Sequence, residues 1–136
     1  MIQSTIGHLV LHVHPQSMGF YKDLLTFTGW QILYDDPNML GMGSSANQSL
    51  WFGPVPKDCS YDYDGIGVNH VALSVPNQGD VDKMVAYLRE NGIQPLFETP
   101  RHRPEFSGGP DQTYYQVMFE SPDRILFEVV YTGLKD

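Results

Sequence analysis

The residues with the most chemistry to offer are three histidines and one glutamate set in apolar, alternating stretches. His8 and His12 lie in Gly7-His8-Leu9-Val10-Leu11-His12-Val13, His70 opens His70-Val71-Ala72-Leu73-Ser74-Val75, and Glu128 interrupts Ile125-Leu126-Phe127-Glu128-Val129-Val130. Apolar residues at every second position mark strands with one buried face. If Leu9, Leu11 and Val13 pack inward, then His8, Val10 and His12 share the opposite face. The same parity groups His70, Ala72 and Ser74, and sets Leu126, Glu128 and Val130 apart from Phe127, Val129 and Tyr131. A carboxylate inside an apolar strand is costly without a partner. Neutral imidazole with carboxylate suits a divalent metal such as Fe, Mn, Ni or Zn, so His8, His70 and Glu128 form a candidate metal set. Hydrogen-bonded structural histidines are the alternative that spacing leaves open.

Other residues could touch a substrate. His12 shares the His8 face and is a candidate general acid or base; a strand histidine paired with a carboxylate is the competing reading. Tyr114 and Tyr115 are neighbours on a strand and point to opposite faces. Tyr114 is placed among substrate contacts and Tyr115, with His12, among catalytic candidates. Trp51 offers a flat apolar wall for a substrate or for plain packing. Arg101-His102-Arg103 is the one basic cluster in an acidic chain. It falls in a Gly- and Pro-rich segment, 99–113, expected as a binding loop in which Arg101 and Arg103 hold a carboxylate or phosphate, or as a solvated loop. Cys59 has no adjacent His or basic residue and makes a poor nucleophile.

These residues are positioned by a repeated pattern. The histidines of GHLVLHV and NHVALSV are 62 positions apart, and each is followed, 21 or 22 residues later, by a glycine that opens Gly29-Trp30-Gln31-Ile32-Leu33 or Gly92-Ile93-Gln94-Pro95-Leu96. A helical stretch lies between each pair. Phe20, Leu24 and Phe27 are expected on one helix face, and Val81, Met84, Val85 and Leu88 on the other helix's. Gly29 and Gly92 read as left-handed helix stops. Short strands follow at 31–34, 40–42 and 49–52, then at 95–98, 114–120 and 125–131. The fold class is α+β: two tandem βαβββ modules forming a curved mixed sheet, a cup with helices on its outer face. Residues 1–136 are expected as one domain, with module one at about 6–53, a connector at 54–68 and module two at about 69–131.

Composition narrows the function classes. A net charge of −8 over 136 residues repels phosphate backbones, so nucleic acid is not an expected partner. One cysteine excludes an internal disulfide and a Cys-rich zinc site. No apolar run reaches the ~20 residues of a membrane span, which leads to the expectation of a cytoplasmic protein without a membrane partner.

The paired modules, the openings GHLVLHV and NHVALSV, and the ending YYQVMFESPDRILFEVVY resemble the vicinal oxygen chelate superfamily, which includes glyoxalase I, extradiol dioxygenases and bleomycin-binding proteins. The resemblance covers about Ile6 to Tyr131. Its most specific piece is Ser121-Pro122-Asp123-Arg124 followed by Glu128, similar to the family's Asp-Pro-Asp-Gly turn ahead of a metal-binding Glu. By that resemblance His8, His70 and Glu128 match ligand positions for one divalent ion. Trp51 stands where a further carboxylate or amide is expected, and Arg124 replaces the turn glycine. What the resemblance implies is a metal-dependent enzyme acting on a small oxygen-bearing substrate, more dioxygenase-like than glyoxalase I-like, and a homodimer. A metal-free antibiotic or aromatic-metabolite binding protein and a lactoylglutathione lyase-like isomerase are the alternatives.

Overall fold

Alternating strands and one amphipathic helix per half build the same layered module twice. A computed structural model describes all 136 residues, and the chain divides into two compact units, Met1–Ser60 and Tyr61–Asp136. The first unit runs β1 (His8–Val13), α1 (Met18–Phe27), β2 (Gln31–Asp36), β3 (Met39–Gly43) and β4 (Ser49–Pro54). The second runs β5 (Val71–Ser74), α2 (Gln78–Glu90), β6 (Leu96–His102), β7 (Gln112–Glu120) and β8 (Leu126–Leu134). Their four-stranded sheets have equivalent orders, β1-β4-β3-β2 and β5-β8-β7-β6. In each, the first strand pairs parallel with the last and the other pairs are antiparallel. The α+β class and the paired βαβββ modules expected from the sequence are the observed architecture.

In the first unit Val13, Leu40, Met42, Leu50 and Phe52 are buried with Tyr21, Leu24 and Leu25 of α1. Burying one such side chain is worth about 1.5–3 kcal/mol. The helix face differs from the expected one. Tyr21, not Phe20, enters the core, stacking on Phe52 at 4.5 Å and 22°, and Phe27 remains 47% exposed. The stripe Tyr21-Leu24-Leu25 satisfies helical spacing as well as Phe20-Leu24-Phe27 does, and the ring stack on β4 favours it. In the second unit Val81, Met84 and Leu88 are buried, as are Val117, Phe119, Phe127 and Val129 of the sheet.

Gly29 and Gly92, at φ 88° and 68°, end the helices in the left-handed conformation expected of them. Arg124 adopts φ 62° without being glycine. Its turn is held by the Ser121 hydroxyl, which accepts from the Asp123 and Ile125 amides at 3.2 and 3.0 Å. The segment 99–113 is only partly a loop: β6 continues to His102, a short 3-10 turn follows at Pro104–Phe106, and β7 begins at Gln112. Arg101 therefore belongs to a strand, register-paired with Gln116.

Candidate functional site

In the second unit, parity places Glu128, Met118 and Gln116 on the sheet face away from α2. Registers Ala72↔Glu128, Met118↔Glu128 and Gln116↔Val130 set the positions. Glu128 is only 2% exposed, so its carboxylate needs partners, and it has two. His70 Nε2 lies 3.0 Å from Glu128 Oε2, and the Tyr114 hydroxyl donates a short hydrogen bond to Oε1. Burial, and then this bond to Glu128, raise the Tyr114 pKa, which keeps the phenol a donor rather than a base. His70 Nδ1 lies 2.9 Å from Asn69 Oδ1, and the Asn69 amide nitrogen donates to the Tyr63 carbonyl at 2.9 Å.

These groups border an open pocket of about 610 Å³. Phe97, Phe106, Met118 and Leu126 supply its apolar walls, and Arg103 and Asp64 also line it. Phe106 packs edge-on to Tyr114 at 5.4 Å and carries the Arg103 guanidinium over its ring at 4.7 Å. Arg103 is ion-paired to Glu105. Phe97 comes from an irregularity in β6. Phe97 and Glu98 take φ 55° and 59°, and the register shifts between Leu96 and Arg101. Thr99 fastens this bulge, its hydroxyl donating to the Leu96 carbonyl at 2.6 Å and accepting from the Met118 amide at 2.9 Å. Gln116, also on the pocket wall, is 2% exposed, and its Nε2 has no acceptor.

The expected site residues fall into distinct places. His70, Glu128, Tyr114 and Arg103 come together at this pocket. Arg101 does not line it; its guanidinium lies 3.8 Å from Glu98. Tyr115 lies on the other face of β7, donating to Asp82 of α2 at 2.7 Å and stacked on His102 at 4.6 Å. That placement corrects the expectation of a catalytic Tyr115, since the strand gives its two neighbouring tyrosines to opposite faces. His8 and His12 belong to the first unit, exposed on β1 and register-paired with Ser49 and Gly53. No set of three or more His, Cys, Asp or Glu side chains is gathered as a metal-holding group.

Trp51 has the register expected of it. Val10↔Trp51 in the first sheet matches Ala72↔Glu128 in the second. Its indole lies across Gly41, where a Cβ would meet the ring at 2.5 Å, and its Nε1 donates to Ser49 Oγ at 3.0 Å. Asn69, Tyr63 and Gln116 were missed by sequence reasoning. The alternation that singled out Glu128 applies equally to Gln116 within Tyr114–Glu120, whereas nothing local announces that Tyr63 folds back onto Glu120, its hydroxyl donating at 2.6 Å.

Comparison with known proteins agrees with this architecture. No family model matches the chain. Among curated proteins, the uncharacterized protein YqjT of Bacillus subtilis is 37% identical over 65 residues, 48% of this chain and 47% of that protein. The match thus spans about half the length of that relative. Among solved structures, a candidate glyoxalase from Bacillus halodurans aligns with a TM-score of 0.78 at 25% identity, covering 95% of this chain and 96% of its own. A glyoxalase/dioxygenase from Nostoc punctiforme aligns at 0.69 with 17% identity, covering 95% and 91%. A glyoxalase/bleomycin resistance protein/dioxygenase from Alicyclobacillus acidocaldarius aligns at 0.63 with 13% identity, covering 94% and 91%. In fold, this chain is similar to these solved glyoxalase, bleomycin resistance protein and dioxygenase structures.

Proposed function

We propose that the chain is a divalent-metal-dependent enzyme that acts on a small oxygen-bearing substrate in the pocket of the second unit. The observation that carries this reading is the buried Glu128 carboxylate facing His70 Nε2 at 3.0 Å across that pocket. Two donors at right angles on an ion, each about 2.1 Å away, lie about 3.0 Å apart, so this pair fits a divalent cation. When bound, such an ion supplies Lewis acidity that polarises two adjacent substrate oxygens. The chain's own residues do the rest. Glu128 and His70 hold the ion; Tyr114 keeps its proton and fixes Glu128 by its free oxygen, as a supporting hydrogen bond does for a ligating carboxylate. Phe97 and Phe106 exclude water from an aromatic or aliphatic substrate body, and Gln116 Nε2 is a donor still without an acceptor, suited to a substrate oxygen. One imidazole and one carboxylate leave coordination positions of the ion open, which favours dioxygenase-like chemistry over glyoxalase-type isomerisation.

The test is metal content of protein purified without a tag or chelator. Stoichiometric metal, lost in His70→Ala and Glu128→Gln, is the expected result; metal retained in Glu128→Gln would sink the assignment. A second reading has its own observation: both Glu128 oxygens already have partners in His70 and Tyr114. A proton in place of the ion would make this a metal-free binding protein for an aromatic ligand. Protein that takes up no Fe(II), Mn(II), Ni(II) or Zn(II) on soaking, yet binds aromatic compounds, would establish it.

A further inference from the structure

Arg103 is the one permanently cationic side chain lining the pocket of the second unit, where Asp64 and Glu128 are the carboxylates. Its position is fixed from several sides. The Arg103 amide donates to the Tyr114 carbonyl at 2.7 Å, and the Phe106 amide donates to the Arg103 carbonyl at 3.0 Å. The backbone is thus fastened both to β7 and to the 3-10 turn that follows. The guanidinium lies over the Phe106 ring at 4.7 Å, and Phe106 packs edge-on against Tyr114. Glu105 Oε1 accepts from Arg103 Nε at 2.5 Å. That bond engages only the inner nitrogen of the fork. No protein group bonds Nη1 or Nη2, although the side chain is only 22% exposed. A guanidinium held in one plane with its outer nitrogens unused matches the paired oxygens of a carboxylate.

We propose that Arg103 determines specificity: its Nη1 and Nη2 take a carboxylate of the substrate, so the pocket selects small monocarboxylic acids with an apolar body over their neutral analogues. Phe97, Phe106, Met118 and Leu126 are the surfaces for that body. A single negative charge suits the site. Glu105 already offsets part of the guanidinium charge, and Asp64 and Glu128 line the same pocket, so a doubly charged phosphate ester meets more repulsion than attraction. The proposal rests on the reading of this pocket as the substrate site and names the substrate class; it does not require the metal.

The experiment titrates benzoate, phenylacetate and 3-phenylpropionate, each beside its neutral amide, into chelator-treated protein by calorimetry at neutral pH. The acids should bind wild type about ten- to hundredfold more tightly than the amides, the worth of hydrogen bonds between charged groups. Arg103→Gln should erase that preference and leave the affinity for the amides unchanged. Arg103→Lys, which keeps the charge and loses the fork, should retain only part of it. Circular dichroism confirms that both variants fold. Equal binding of acid and amide, no binding of any acid, tighter binding of phenyl phosphate than of benzoate, or a preference that survives in Arg103→Gln overturns the proposal. Metal uptake is measured separately. A preference lost in Arg103→Gln in a protein that takes up no metal would keep Arg103 as the carboxylate site and discard the metal reading alone. Metal uptake without any preference for acids would discard the role of Arg103 alone.

Discussion

At the scale of single residues, the pocket is organised around one buried carboxylate. Glu128 was legible in the sequence because a charge flanked by Phe127 and Val129 must have partners in a buried strand. His70 was legible through its place in the repeat. Tyr114 could be placed only to within one residue, because alternation says that Tyr114 and Tyr115 diverge and not which of them faces Glu128. The bond from Tyr114 to Glu128 makes a specific prediction. Tyr114→Phe removes the donor and leaves a buried carboxylate oxygen without its partner, a loss of about 1–3 kcal/mol. Urea unfolding should show that loss near neutral pH. An unchanged midpoint would mean that the phenol adds nothing to the carboxylate's burial.

At the scale of elements, the strands and helices followed from period and glycine placement, and the deviations followed from features that period does not encode. The β6 bulge is the clearest. Segment 99–113 reads as a loop because of its prolines and glycines, yet Thr99 stitches the chain onto β7 by bonding both Leu96 and Met118. Thr99→Ala leaves the Met118 amide without its acceptor in a buried position and should cost about 1–3 kcal/mol. It should also loosen Phe97, so that hydrogen exchange speeds up in β6 more than in β8; uniform exchange would contradict the stitching role. The contact of β7 with α2 gives a second test. Burial, followed by its hydrogen bond to Asp82, pushes the Tyr115 phenol up to about 12, against 10.0 for the free group. Because the folded pKa is the higher one, the stabilisation is fully present below about pH 10 and is lost as pH rises toward 12. Tyr115→Phe should therefore lose less stability than the wild type over that window, as followed by the thermal midpoint between pH 9 and 12.

At the scale of the whole molecule, the chain is a duplication whose copies share topology and differ in chemistry. Sheet order, strand pairing and the register of the closing strand are the same in both units. The sequence carries that symmetry openly, in GHLVLHV and NHVALSV and in the two helix-ending glycines. It carries the asymmetry just as openly, because Trp51 takes the register place of Glu128. The sequence does not disclose how each copy fills that place. In the first, the indole lies over Gly41, which has no side chain to displace it; in the second, the carboxylate is held by His70 and Tyr114. One half therefore has a histidine–carboxylate donor pair at this position and the other an apolar ring. Under the proposed function the chain should take up one divalent ion, not two. Elemental analysis of protein saturated with Mn(II) or Zn(II) and then desalted should give about one ion per chain. Trp51→Phe should leave that number unchanged, and Glu128→Gln should bring it close to zero. Two ions per chain would show that the first unit holds metal without a carboxylate at Trp51, and the argument from the duplicated register would then fail.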